Sequence, residues 1–328
     1  MTDTVTSERA AGSKLGGASP PPPHHRGRLR PRRGSIAPYL FSAPAMVLYA
    51  VFTVIPLVYA IGTSLFAERR IGGGALGTPS TVFVWFDNYT SVFDDSRLLD
   101  GLGRLAIYGM VAVPLTLGLA LLLALLLDTP GVRLRSLGRT AIFIPYAVPG
   151  VVAALMWGFM YLAGTSPFSY ATRSFGWGDI QFLGQSGIYA SMANITVWGG
   201  VGFNMLVIYT ALRGIPHELL EAARMDGANE IQIALRIKVP LVGPALILTA
   251  IFALLGSLQL YGEPLMLKPL TNTISDSWVP LMSIYQDAFV LGNLHDAAAA
   301  SIVLALGTAV VSLMVLAMVR VSTKRGMR

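Results

Sequence analysis

Polar and apolar residues are not mixed along this chain. They fall into blocks, and six of the apolar blocks are about 20 residues or longer, at about 37–66, 103–127, 140–163, 187–212, 242–264 and 297–319. Crossing the hydrocarbon core of a bilayer takes about 20 apolar residues in a helix. The pattern therefore predicts an all-α polytopic membrane protein with six transmembrane helices. The fourth block is interrupted by Asn194, Thr196 and Asn204, and the fifth holds Gln259 and Glu263 near its end. Residues 1–36 read differently. They carry a proline run, Pro20–Pro23, and five arginines, Arg26, Arg28, Arg30, Arg32 and Arg33. Such a composition favours extended conformations and cannot bury a core, so the reading is a disordered basic arm. A signal peptide would have a shorter basic start and a shorter apolar run. The expected division is a tail at 1–36, a permeation domain at 37–320 and a short tail at 321–328.

Composition removes the soluble alternative. Apolar residues make up 54% of the chain and charged residues only 12%, about half the charge that a soluble surface carries. With the N-terminus placed inside, 18 of the 24 Lys and Arg lie on the cytoplasmic side, among them Arg133, Arg135, Arg139, Arg213, Arg224, Arg236 and Lys238. The 17 acidic residues lean the other way, 7 inside and 10 outside. This asymmetry predicts both termini in the cytoplasm and explains a pI near 9.8 without nucleic acid. No cysteine is present, so disulfides and thiolate chemistry are excluded. Gly72, Gly74 and Gly77 satisfy G-x-G-x-x-G, but with no strand before them they do not predict a nucleotide site, and no G-x-x-x-x-G-K-[ST] occurs. The four histidines are scattered without metal-ligand spacing, and no catalytic constellation is visible.

The most informative polar segment is Arg213–Val239. Pro216 suits the first turn of a helix, Glu218 and Glu221 favour the positive end of its dipole, and Gly227 suits the left-handed position just past its end. A second short helix is expected at about Asn229–Lys238, and Pro240 opens the next span. The result is a helical hairpin, about 215–238, exposing the small residues Ala222 and Ala223. Small side chains admit close approach, so the shape suits a groove on a partner. A plain solvated loop is the other reading of the same residues.

This segment closely resembles the signature loop of bacterial ABC importer permeases. There Glu-Ala-Ala is followed, after three residues, by Gly, and some ten residues later by Ile-x-Leu-Pro. Glu221, Ala222, Ala223, Gly227, Ile237 and Pro240 match, Asp226 before the Gly also fits, and Val239 replaces the usual Leu. The stretches Leu255–Leu267, Tyr285–Phe289, Ala297–Ser301, Phe143–Pro149 and Trp85–Tyr89 resemble the carbohydrate-uptake, maltose-transporter-like group of the family, so the likeness extends over about 37–320. It implies a type I ABC importer permease fold in the bacterial inner membrane. It further implies that Glu218, Glu221, Ala222, Ala223, Asp226, Gly227, Ile237 and Pro240 couple the chain to an ATPase. The expected partners are two ATP-binding-cassette ATPase subunits, a second and different permease, an external solute-binding protein and a sugar. ATP and Mg would sit on the ATPase, leaving no cofactor on this chain.

A sugar path needs hydrogen-bonding groups and aromatic faces near mid-membrane. Trp198 and Asn204 in the fourth span, and Gln259, Tyr261 and Glu263 in the fifth, are the candidates. Interhelical hydrogen bonds would account for the same residues. The coupling loop would serve equally for glycerol phosphate, polyamine, sulfate or amino acids. An ion-coupled secondary transporter would need titratable residues deep in several spans or a repeat between halves, and neither is visible.

Overall fold

A computed structural model describes residues 37–71, 78–164, 166–176, 178 and 180–326. The basic arm and the Gly72–Gly77 loop lie outside them. Contacts divide the chain into two units, 1–53 and 54–328. In the first, α1 (Ala37–Tyr49) runs into a π turn, and its Tyr39, Phe41 and Phe52 are exposed.

The second unit opens with α2 (Ile55–Ser64), followed by a short antiparallel hairpin, β1 (Phe66–Ile71) and β2 (Thr78–Phe83), in which Phe66 pairs with Phe83 and Ile71 with Thr78. This hairpin is the one departure from an all-helical chain among the described residues. Helix α3 (Asp87–Asp94) is fastened beneath it. Asn88 is buried and donates to the Ser64 and Phe66 carbonyls, both at 2.7 Å. The remaining elements are α4 (Ser96–Asp128), α5 (Arg135–Phe143), α6 (Gly150–Tyr161), α7 (Pro167–Ser174), α8 (Ile188–Arg213), α9 (His217–Met225), α10 (Glu230–Ile233), α11 (Val239–Leu241), α12 (Gly243–Leu258), α13 (Gly262–Leu267), α14 (Pro280–Tyr285) and α15 (Leu294–Gly326).

The core is the α4–α8 pair. On α4 the buried residues Tyr108, Ala112, Thr116, Ala120 and Ala124 recur every four positions. Lipid tails are as apolar as leucine, so helices associate there by close packing, and small residues bring the backbones together. The other face of α4 exposes Met110, Leu115, Leu122 and Leu126. Against the small stripe lie Val197, Val201, Met205, Ile208 and Leu212 of α8, all buried. Gly202 brings α8 against the backbone of α5. A Cβ built there would stand 2.3 Å from the Ile142 carbonyl oxygen and 2.8 Å from Phe143 Cα, both backbone atoms of α5 that cannot rotate away. Gly202→Ala should therefore cost about 1–3 kcal/mol as overpacking. The check is the thermal unfolding midpoint of the purified chain, and an unchanged midpoint would contradict the contact.

The spans are not all straight. Tyr39–Ser64, Ser96–Asp128, Ile188–Arg213 and Leu294–Ala317 are each long and apolar enough to cross a membrane, and two further spans arise only if bent pairs count as one each. In the first pair, Arg135–Ala147 meets Gly150–Tyr161 at 94°. Val148 and Pro149 form the break, and proline removes a backbone donor and disfavours helix in the residue before it. The second pair, Glu230–Leu241 and Gly243–Leu258, bends by 69° between Pro240 and Pro244. The fifth apolar block also ends early. α12 stops at Leu258, so Gln259, Tyr261 and Glu263 follow the helix instead of lying in it. Pro264 lies in the first turn of α13, where its missing N–H leaves no helical bond unmade.

Candidate functional site

Two places hold most of the residues singled out by the sequence. The first is the hairpin after α8. Helix α9 begins after Pro216, which serves as its N-cap and not its first turn, and carries Glu218 in its first turn and Arg224 in its last, both favourable to the dipole. Its end is a complete Schellman motif. Gly227 has φ +83°, its N–H donates to the Arg224 carbonyl at 3.0 Å, and the Ala228 N–H donates to Ala223 at 3.0 Å. The chain reverses and α10 starts with a capping box, in which Asn229 Oδ1 accepts from the Gln232 N–H at 2.8 Å and Gln232 Oε1 from the Asn229 N–H at 2.9 Å. Arg224 and Glu230 join the two helices at 2.9 Å across the surface.

Leu220 and Ile233 root the hairpin in the protein. A π turn, Ala234–Lys238, then carries Lys238 inward, where Nζ lies 2.6 Å from Asp128 Oδ2 with both side chains at most 8% exposed. Thus the end of α4 holds the base of the hairpin. Glu218, Glu221, Ala222, Asp226 and Pro240 are exposed, and Ala223 and Ile237 are half-buried. The sequence reading passed over Met225, which is 88% exposed at the tip. Its signal was present: a large apolar residue in a polar segment, about 140° round the helix from buried Leu220.

The second place is a cavity of 460 Å³ between α4, α8 and α12. Tyr108, Ala112 and Thr116 line it from α4, Thr196, Gly200, Phe203 and Asn204 from α8, Phe252, Gly256 and Ser257 from α12, with Tyr146 and Glu263 at its edges. Tyr146 stacks on Phe203 at 5.0 Å and 21°, and both residues line the cavity. The hydroxyls of Thr116 and Ser257 donate back to the carbonyls of Ala112 and Leu254 at 2.7 and 2.8 Å. Asn204 uses its NH2 on the Gly200 carbonyl at 2.8 Å, and its buried Oδ1 has no partner. Tyr108 and Thr196 hydrogen-bond to each other across the α4–α8 seam. The polar lining is therefore rich in acceptors, and it contains no Lys, Arg or His.

Of the five path candidates, the cavity brings together Asn204 and Glu263. Trp198 instead packs edge-on against Trp157 at 5.9 Å, and Tyr261 packs on Tyr285 at 5.8 Å. Gln259 is exposed at the end of α12. Tyr108, Thr116 and Ser257 were missed, because single hydroxyls in apolar runs do not reveal which face they occupy.

A smaller pocket lies by the start of α4, where Arg97 bridges Asp95 at 2.8 Å and Asp287 at 3.4 Å. Burial raises the Asp95 carboxyl, but the side-chain and backbone hydrogen bonds from Arg97 outweigh it and hold the group below its ordinary range. For Asp287 burial prevails over Arg97 and the carboxyl is pushed up. No cluster of three His, Asp or Glu suited to a metal ion occurs among the described residues.

The profile of the family described as binding-protein-dependent transport system inner membrane component matches residues 119–326. The sn-glycerol-3-phosphate transport system permease protein UgpA of Escherichia coli O6:K15:H31 is 29% identical over 273 residues, covering 81% of this chain and 88% of that protein. UgpA of Rhizobium meliloti is 30% identical over 278 residues, covering 82% and 89%. Among solved structures, a bacterial ABC transporter involved in the import of the acidic polysaccharide alginate superposes with a TM-score of 0.73 at 20% identity, over 87% of this chain and 95% of that one. The methionine transporter MetNI, in inward-facing form, gives 0.51 at 19% identity, over 68% and 95%.

Proposed function

The chain belongs to the family of binding-protein-dependent transport system inner membrane components, and from that premise we propose that it forms one half of the path by which an ABC importer takes up a neutral, hydroxyl-rich solute, a sugar. The observation carrying the substrate class is the acceptor-rich cavity. Sugar hydroxyls are donors. The free Oδ1 of Asn204, the Glu263 carboxylate and the spare lone pairs of Thr116 and Ser257 would receive them, and the faces of Tyr146 and Phe252 would meet the apolar side of the ring.

Glycerol phosphate is the second reading, favoured by the likeness to the sn-glycerol-3-phosphate permease UgpA. A phosphate ester would need a cation at the site, and this half offers a carboxylate at Glu263 instead. Uptake by the assembled transporter with labelled sugars, each competed by glycerol phosphate, separates the two. Glycerol phosphate as the transported species would overturn the sugar reading. Asn204→Ala should raise the KM for uptake by about 5- to 150-fold, since losing one buried hydrogen bond to substrate costs about 1–3 kcal/mol.

The hairpin acts as the coupling element. Glu218, Glu221, Ala222, Asp226 and Met225 face outward to dock on an ATPase subunit, with Ala223, Gly227, Ile237 and Pro240 shaping the turn and its exit. The Lys238–Asp128 pair transmits the push into α4. Two ATPases, a second permease that is a different homologue, and the external binding protein complete the assembly. ATP and Mg reside on the ATPase. The end of the protein bearing Arg133, Arg135, Arg213 and the hairpin faces the cytoplasm, as do both termini. Such positioning lets the spans rock between two open states around one site.

A further inference from the structure

A third cavity, of 270 Å³, lies under α9 between the ends of α4, α5 and α8. We propose that it is a binding site for a phosphate group, the headgroup of an anionic phospholipid or a soluble phosphate ester, that ties α9 to the helices behind it. Arg135, Arg213, Arg224, Lys238 and His217 line it, against the single carboxylate of Asp128. That carboxylate is taken by Lys238 at 2.6 Å, and Arg224 is taken by Glu230 at 2.9 Å. Two guanidinium groups remain without a carboxylate partner, those of half-buried Arg135 and exposed Arg213. Arg135 donates one NH2 to the Thr129 carbonyl at 2.6 Å, while its Nε–H is buried with no acceptor. Arg213 has no carboxylate within 4.0 Å among the described residues. A buried donor without an acceptor is costly, and two guanidinium forks with an imidazole beside them match the several acceptor oxygens of a phosphate.

The depth of the cavity points the same way. The apolar spans of α4 and α8 end at Asp128 and Arg213, on its wall, so phospholipid headgroups lie level with it. Basic pockets between spans at this level are where anionic headgroups bind. An occupant would touch α5, α8 and α9 at once and so stiffen the mount of the hairpin, which neither the cavity between the spans nor the hairpin surface does.

The test uses the full chain, purified in detergent and delipidated, with thermal unfolding followed as phosphatidylglycerol, phosphatidylcholine or inorganic phosphate is titrated in. It needs neither uptake nor ATPase, so its outcome is independent of the transport reading. Phosphatidylglycerol should raise the midpoint and phosphatidylcholine should not. Arg135→Gln with Arg213→Gln should weaken the apparent affinity about tenfold or more, each basic residue at a membrane surface contributing roughly fivefold. Arg213→Gln alone serves if the pair fails to fold, and Arg133→Gln, exposed outside the cavity, should behave as wild type. A response to inorganic phosphate equal to that of the lipid supports the site and assigns it to a soluble ester. A response to neither, or one undiminished in the cavity variants, overturns the proposal.

Discussion

Gly227→Pro is expected to reduce solute uptake to background while leaving the chain inserted in the membrane. Gly227 stands at φ +83°, and proline is held near −65°. Its N–H donates to the Arg224 carbonyl, and proline has no N–H to give. Both bonds of the Schellman motif depend on this one residue, so α9 and α10 lose their fixed angle. The damage stays local. The α4–α8 core is built from Ala120, Ala124, Val201, Met205 and Ile208, and no residue of the turn belongs to it. Gly227→Ala should fall between, since a non-glycine residue pays about 1 kcal/mol or more in the left-handed region. Glu221→Lys should block uptake by a different route, placing a cation on the exposed docking face and leaving the turn whole. Membrane fractionation and uptake of labelled solute, with ATP hydrolysis by the assembled complex, read the two effects apart. Normal uptake in both variants would end the coupling role given to the hairpin.

Asp128→Ala should be the most destabilising single change away from the helix seams. It leaves the Lys238 ammonium with its side chain 5% exposed and without a counter-charge. Removing one member of a buried pair costs about 3–5 kcal/mol, whereas replacing both by apolar residues of similar size is often neutral. Asp128→Leu combined with Lys238→Met should therefore recover most of the lost thermal stability. If the double variant unfolds as early as the single one, the pair is not what holds the hairpin base to α4. The single variant should also lower uptake, because Lys238 is the fixed point between the exposed hairpin and the spans.

The two predictions draw on features of different legibility. The hairpin could be read along the chain: Pro216 before a short helix, acidic residues in its first turn, Gly227 at its end and a capping pair at Asn229 and Gln232 are all decided within a few residues. The Lys238–Asp128 pair could not, because its members are 110 positions apart. Even in the hairpin, Ala223 and Met225 exchanged prominence once the fold was seen, since which face a helix buries depends on what it lies against.

Taken alone, the sequence determined that the chain is helical and membrane-spanning, because runs of about 20 apolar residues can satisfy their backbone hydrogen bonds in a bilayer as helices. It also determined where the helical hairpin after α8 starts, turns and stops. Tertiary structure alone decided that the third apolar block turns through 94° at Val148–Pro149, that α12 ends before Gln259, and that Tyr108, Thr116, Asn204, Ser257 and Glu263 share one cavity. Helical periodicity tells which residues share a face of one helix. It does not tell which faces of α4, α8 and α12 meet, and in a membrane, where almost every face is apolar, only the packing of small residues against a neighbouring backbone makes that choice.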